Sequence, residues 1–166
     1  MTLAESLARE LDGTRDWTLR LIADLQGDDW TFAPAPGLAH STWLCGHLAV
    51  SQHLLIHVRC LGSGLLEEDF TRHFPIGGPV PSTTEHAYPP VRVILARMAD
   101  VHARTLVAVR GMSAALLAEP AFGKDGAPHP HYRDKFGAVA HCNRHEAFHA
   151  GQLAFIRRLR GKAFLR

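Results

Sequence analysis

Only three cysteines occur in the 166 residues, Cys45, Cys60 and Cys142, and none is spaced as C-x-x-C. That rules out a disulfide framework and a cysteine-rich structural zinc site, and it points to free thiols in a reducing compartment. No apolar run approaches the roughly 18 residues a membrane span needs, and no basic, then apolar, leader opens the chain. The expected setting is the cytoplasm, with no membrane partner. Net charge is only +2, so no broad basic surface exists for nucleic acid. The cations Arg157, Arg158, Arg160, Lys162 and Arg166 near the C-terminus are read as complements to a helix dipole. Strand-like alternation is missing throughout.

Helical periodicity is plentiful instead. Leu3, Leu7, Leu11, Thr18, Leu21, Ile22 and Leu25 mark a first helix over about residues 3–26. Ser41 is a candidate cap for a second, whose stripe runs through Leu44, His47, Leu48, Ser51, Leu54, Leu55 and Val58. His53 and His57 fall off that stripe and read as surface residues. Pro90 suits the start of a third helix carrying Ile94, Met98, Val101, His102, Thr105 and Val109. Ser113 caps a short turn, and a fourth helix runs from about Asp134 to Arg160. Gly- and Pro-rich stretches at 64–89 and 119–135 separate the later helices, and the length of the first suggests that helices two and three are not simple hairpin neighbours. The expected architecture is all-α, a four-helix bundle forming one domain over residues 1–166.

The fourth helix carries His141, His145 and His149, each four residues apart and therefore on one face. Chance gives about one His-x-x-x-His pair in a chain with 12 histidines, so the spacing alone says little. The setting says more. Ala138, Phe148, Gln152, Ile156 and Leu159 share the sector centred on His145, whereas Arg144, Glu146, Arg157 and Arg158 lie off it. Imidazoles on a buried face need a common partner, because an unpartnered polar ring costs about 1–3 kcal/mol to bury. A metal ion is the simplest one. His47 on the second helix supplies the third ligand to His145 and His149. Three histidines with an open fourth position suit Zn²⁺, Ni²⁺ or Fe²⁺. His141 is a fourth ligand, a neighbour that orients one, or a core histidine; His102 reads as an ordinary satisfied histidine. Cys45 and Cys142 read as small buried apolar residues.

His145-Glu146-Ala147-Phe148-His149 also matches H-E-x-x-H, in which glutamate is the base of a zinc protease. Such proteases take their third ligand downstream. Here no Asp or Glu follows Glu146 and no His follows His149. The protease reading fails there, and Glu146 is expected to be solvated or to support a ligand.

TWLCGHLAVSQ on the second helix, HEAFHAGQLAFIRRLRG on the fourth, and LIADLQGDDWTFAPAPG before the second resemble the DinB-like superfamily, which includes bacillithiol- and mycothiol-dependent S-transferases. The resemblance covers essentially the whole chain. It implies a four-helix bundle, one divalent metal on His47, His145 and His149, and frequent homodimers, with which Trp17, Trp30 and Trp43 as aromatic surface would be consistent. It also implies transfer or isomerisation of a small molecule with a low-molecular-weight thiol as cosubstrate, for which hydrolysis by metal-bound water is the chemical rival. The alternative is a non-enzymatic, stress-associated metal-binding bundle. The long 64–89 loop, with His129 and His131 in the next one, departs from the family and would set substrate identity.

Overall fold

The structure, a computed structural model, describes every residue except 124–126, 128, 130, 131 and 166. His131 and Arg166 thus lie outside the described residues. Six helices form, and no strand appears among the described residues. Four are long: α1 (Leu3–Ile22), α2 (Ser41–Gln52), α4 (Val91–Arg110) and α6 (Lys135–Leu159). The short α3 (Glu68–Thr71) and α5 (Ala114–Ala118) lie in the connections. Past Gln52, α2 continues as a π-helical turn, His53–Val58, and a last turn, Arg59–Leu61.

Local chemistry sets the ends. Thr2 and Glu5 close a capping box on α1. Asp134 accepts from Gly137 N–H at 2.7 Å to start α6, and Ser113 accepts from Leu116 N–H to start α5. Helix α1 stops at Ile22, short of the expected residue 26, because Gln26 is extended and the chain turns into the 3₁₀ segment Gly27–Asp29 with Gly27 at positive φ. The cap of α2 is His40 rather than Ser41: its Nδ1 accepts from Trp43 N–H, while its Nε2–H reaches the Pro81 carbonyl at 3.3 Å.

Helix α1 packs on α4 and α6, and α2 packs on those same two. The pairs α1/α2 and α4/α6 therefore stand diagonally across the core. The expectation that α2 and α4 are not simple neighbours is corrected: they pack extensively, and it is the successive helices α1 and α2, and α4 and α6, that stand across the bundle from each other. The 64–89 connection is part of the core. Phe70, Phe74 and Val80 are buried from it among Trp43, Leu44, Leu48 and Val50. Phe74 fits because residue 46 is glycine. A Cβ on Gly46 would stand 2.0 Å from the Phe74 ring, so the notch and the ring define each other.

Every residue of Ser41–Gln52 is buried, and so are His53 and His57. The surface placement of these two is corrected. The helix is enclosed on all sides, and its π turn shifts the phase of the residues beyond it, so a single stripe describes it poorly. His53 Nδ1 accepts from Leu65 and Leu66 N–H, and His57 Nε2 lies 3.0 Å from Thr105 Oγ1.

The basic C-terminal segment is not merely a dipole complement. Arg157 is buried and binds Asp24 and the Leu21 carbonyl, and Arg160 and Lys162 both reach Asp29. These pairs tie the end of α6 to the end of α1. Lys162 and then Arg160 hold the Asp29 carboxyl far below the usual carboxylate range.

Gly46→Ala is expected to destabilise the protein by about 1–3 kcal/mol, through overpacking against a ring that has no room to retreat. Urea unfolding at neutral pH measures it. An unchanged midpoint would mean that Phe74 does not sit in the notch.

A candidate metal centre

His47 projects from α2 toward His145 and His149 on α6. The Nε2 atoms of His47 and His145 are 3.1 Å apart, as are those of His145 and His149. One nitrogen from each ring falls in a group no wider than 4.8 Å. His145 Nε2 can hold one proton at most, so it donates to only one of its two neighbours. His149 uses its Nδ1–H on Gln152 Oε1, at 2.6 Å, which leaves its Nε2 lone pair facing the group. The three nitrogens thus present more lone pairs than protons to one point, which suits a cation. Nitrogens bound at about 2.0–2.1 Å to a tetrahedral ion lie about 3.3 Å apart, close to the two 3.1 Å separations that His145 makes.

Electrostatics agree. Burial, then the neighbouring imidazoles, push His47 down to about 3 and His145 to about 4. Burial lowers His149 as well. All three are neutral at pH 7, the form that ligates. Around them, Gln152 fixes the tautomer of His149, and Trp43 stacks on His47 with centroids 4.3 Å apart and planes at 11°. Ser51 Oγ lies 3.4 Å from His47 Nε2. His47 Nδ1 and Trp43 Nε1 are buried without a hydrogen-bond partner among the described residues.

The sequence profile of the DinB superfamily matches residues 10–153. This chain belongs to the DinB superfamily. The fold agrees: a crystal structure of a conserved protein from Enterococcus faecalis superposes with a TM-score of 0.73 at 18% identity, over 96% of this chain and 97% of that one. No curated protein matches it by sequence.

Within this DinB-superfamily bundle, the other expected residues separate cleanly. His141 stays outside the group: its ring is 5.9 Å from that of His145 and 5.0 Å from Tyr132. His102 is the satisfied core histidine expected, between Gln52 Nε2 at 3.2 Å and Asp12 Oδ1 at 3.3 Å. The cysteines are buried, and burial pushes Cys45 and Cys60 up to about 12 and Cys142 higher still. No thiol is activated. The sector centred on His145 is less buried than its composition implied. Phe148 and Leu159 are exposed, whereas Glu146 and Arg157 are buried.

Glu146 is neither solvated nor aimed at the histidines. Its carboxylate pairs with Arg15 through Nε at 2.6 Å and Nη2 at 3.0 Å. Arg15 also donates to the Met98 carbonyl and to Gln52 Oε1. Sequence reasoning missed Arg15 because it reads as one more cation on α1. Its spacing with Ala4, Ala8, Leu11, Thr18 and Ile22 along the buried face was the available signal.

Glu146→Ala strands Arg15 as an uncompensated buried charge and should cost about 3–5 kcal/mol, while any metal taken up by the folded wild-type protein should also be taken up by the folded variant. Denaturation with metal analysis checks both; lost metal at unchanged stability would place Glu146 in the centre. Acid should also destabilise metal-free protein. His40, His53, His57, His102 and the three centre histidines all sit below 6.5 when folded. The unfolded chain therefore takes up more protons below that pH. Stability is full above about pH 6.5 and falls toward pH 4, where His57 and His145 titrate. A urea midpoint that is flat from pH 7.5 to pH 5 would contradict this.

Proposed function

We propose that His47, His145 and His149 hold one divalent ion, zinc or nickel foremost and iron(II) next, and that the protein is a metal-dependent enzyme using a low-molecular-weight thiol on a small electrophile. The observation that carries this is the convergence of three neutral imidazole nitrogens on one point beside an opening. A divalent ion with a free position there lowers the pKa of a thiol that binds it. The chain's own residues explain why the nucleophile comes with a substrate. Its cysteines are buried and protonated, and Arg15 occupies Glu146, so among the described residues neither a thiol nor Glu146 is free to act as nucleophile or base at the site. Gln152 and Trp43 hold two of the rings in place, and Ser51 stands at the edge of the group.

His145→Ala should lower metal affinity about 100-fold or more, since even residues that merely orient ligands are worth 10–100-fold. Metal analysis after dialysis measures it, with His57→Ala as the control that retains metal. Full occupancy in the His145 variant would remove the assignment. Activity is tested with metal-loaded protein, a panel of electrophiles, and bacillithiol, mycothiol or glutathione. Turnover without thiol would support hydrolysis instead, and a metal shell closed by a fourth protein ligand would support a non-catalytic binding role.

A homodimer is part of the same proposal. Of the three tryptophans only Trp17 is exposed, but α6 leaves Phe148, Phe155 and Leu159 at the surface along one side. Light scattering at micromolar concentration should give twice 18.3 kDa; a monomer mass would refute the pairing.

A further inference from the structure

A cavity of about 230 Å³ opens directly beside the candidate metal centre, lined on one side by His145 and Ser51. That is about eight waters' worth of space. Leu54, Leu55 and Ile76 supply its apolar wall, His129, Tyr132 and His141 a polar one, and Arg59 completes it. No aspartate or glutamate lines the cavity among the described residues. Arg59 is half-buried as a residue, and its guanidinium donates through Nη1 to the Phe122 carbonyl at 3.0 Å at an exposed position. It has no carboxylate partner among the described residues, in contrast to the paired Arg15, Arg157 and Arg160.

Backbone geometry places Arg59 there. With α-helical spacing, the face of His47 and Ser51 continues to Val58, eleven residues on and about 20° from His47. The π-helical turn His53–Val58 inserts one extra residue, and Arg59 takes that position instead. The same helix face therefore presents, in order, a histidine of the metal group, a serine within 3.4 Å of that histidine's Nε2, and an arginine with donors to spare.

Resting on the metal reading above, we propose that this cavity takes a carboxylate-bearing substrate whose thiol reaches the metal, and that Arg59 is the residue that binds the carboxylate. A guanidinium offers a planar fork of donors that matches a carboxylate, and the apolar wall fits a short methylene chain between the two ends. With Arg59 as the one charged side chain of its lining among the described residues, the pocket favours anionic over neutral and cationic thiols.

The test uses full-length protein loaded with Co²⁺, whose thiolate charge-transfer absorbance reports thiol binding without any turnover. ω-Mercaptocarboxylates of two to six carbons are titrated against mercaptoalcohols of the same lengths. For at least one length, the carboxylate should bind about tenfold tighter than its alcohol. Arg59→Ala should bring that ratio near one and leave the alcohol's affinity in place, and Arg59→Lys should keep part of the preference. A wild-type ratio near one at every length, or a preference that survives in Arg59→Ala, overturns the proposal. Failure of the metal reading looks different: the wild-type protein then retains no Co²⁺ and shows no band with either series.

Discussion

One guanidinium in the middle of the bundle touches all four long helices. Arg15 belongs to α1, its carboxylate partner Glu146 to α6, the carbonyl it binds at Met98 to α4, and the amide oxygen it reaches at Gln52 to α2. The network runs on from Gln52 to His102 and out to Asp12. Such a pair gives little net stability, because desolvating both ions offsets their attraction. Its effect is on alignment. A rotation of α6 that moved Glu146 away from Arg15 would leave a buried charge unpaired. Because His145 adjoins Glu146 in the chain, the same constraint sets where His145 and His149 point.

The centre is therefore built on rigid elements. His47 stands on a helix enclosed on all sides, one residue from the glycine notch that holds Phe74, and its ring is stacked on Trp43. His149 is held by Gln152. Crowding three imidazoles at this spacing without a cation places lone pairs against one another. The surrounding packing enforces that crowding, and a divalent ion there would relieve it. On the proposed function, chemistry would depend on what enters beside His145, where Ile76 from the connection between α2 and α4 and Tyr132 from the connection before α6 line one cavity.

Much of this was legible in the sequence. The 3.6-residue period of α1 and α4, the start of α6 near Asp134, the Ser113 cap, and the four-residue spacing of His145 and His149 act locally, and local signals survive folding. The triad needed one further step, the buried stripe that singled out His47. What escaped depends on tertiary context. His53 and His57 read as surface residues because a helix buried all round has no polar face to betray its orientation, and because a π turn leaves no composition signature. Glu146 and Arg157 read as solvent-facing because each charge is neutralised by a residue more than 130 positions away. The 64–89 segment read as a loop from its glycines and prolines, but Phe70 and Phe74 make it part of the core.

Whether three imidazole nitrogens from α2 and α6 hold one metal ion is read most directly by X-ray absorption at the metal edge of the loaded, full-length protein. The expected donor set is three imidazole nitrogens at about 2.0–2.1 Å and no protein sulfur. A shell containing thiolate sulfur at about 2.3 Å in the absence of added thiol would contradict it. So would a spectrum unchanged when His47 is replaced.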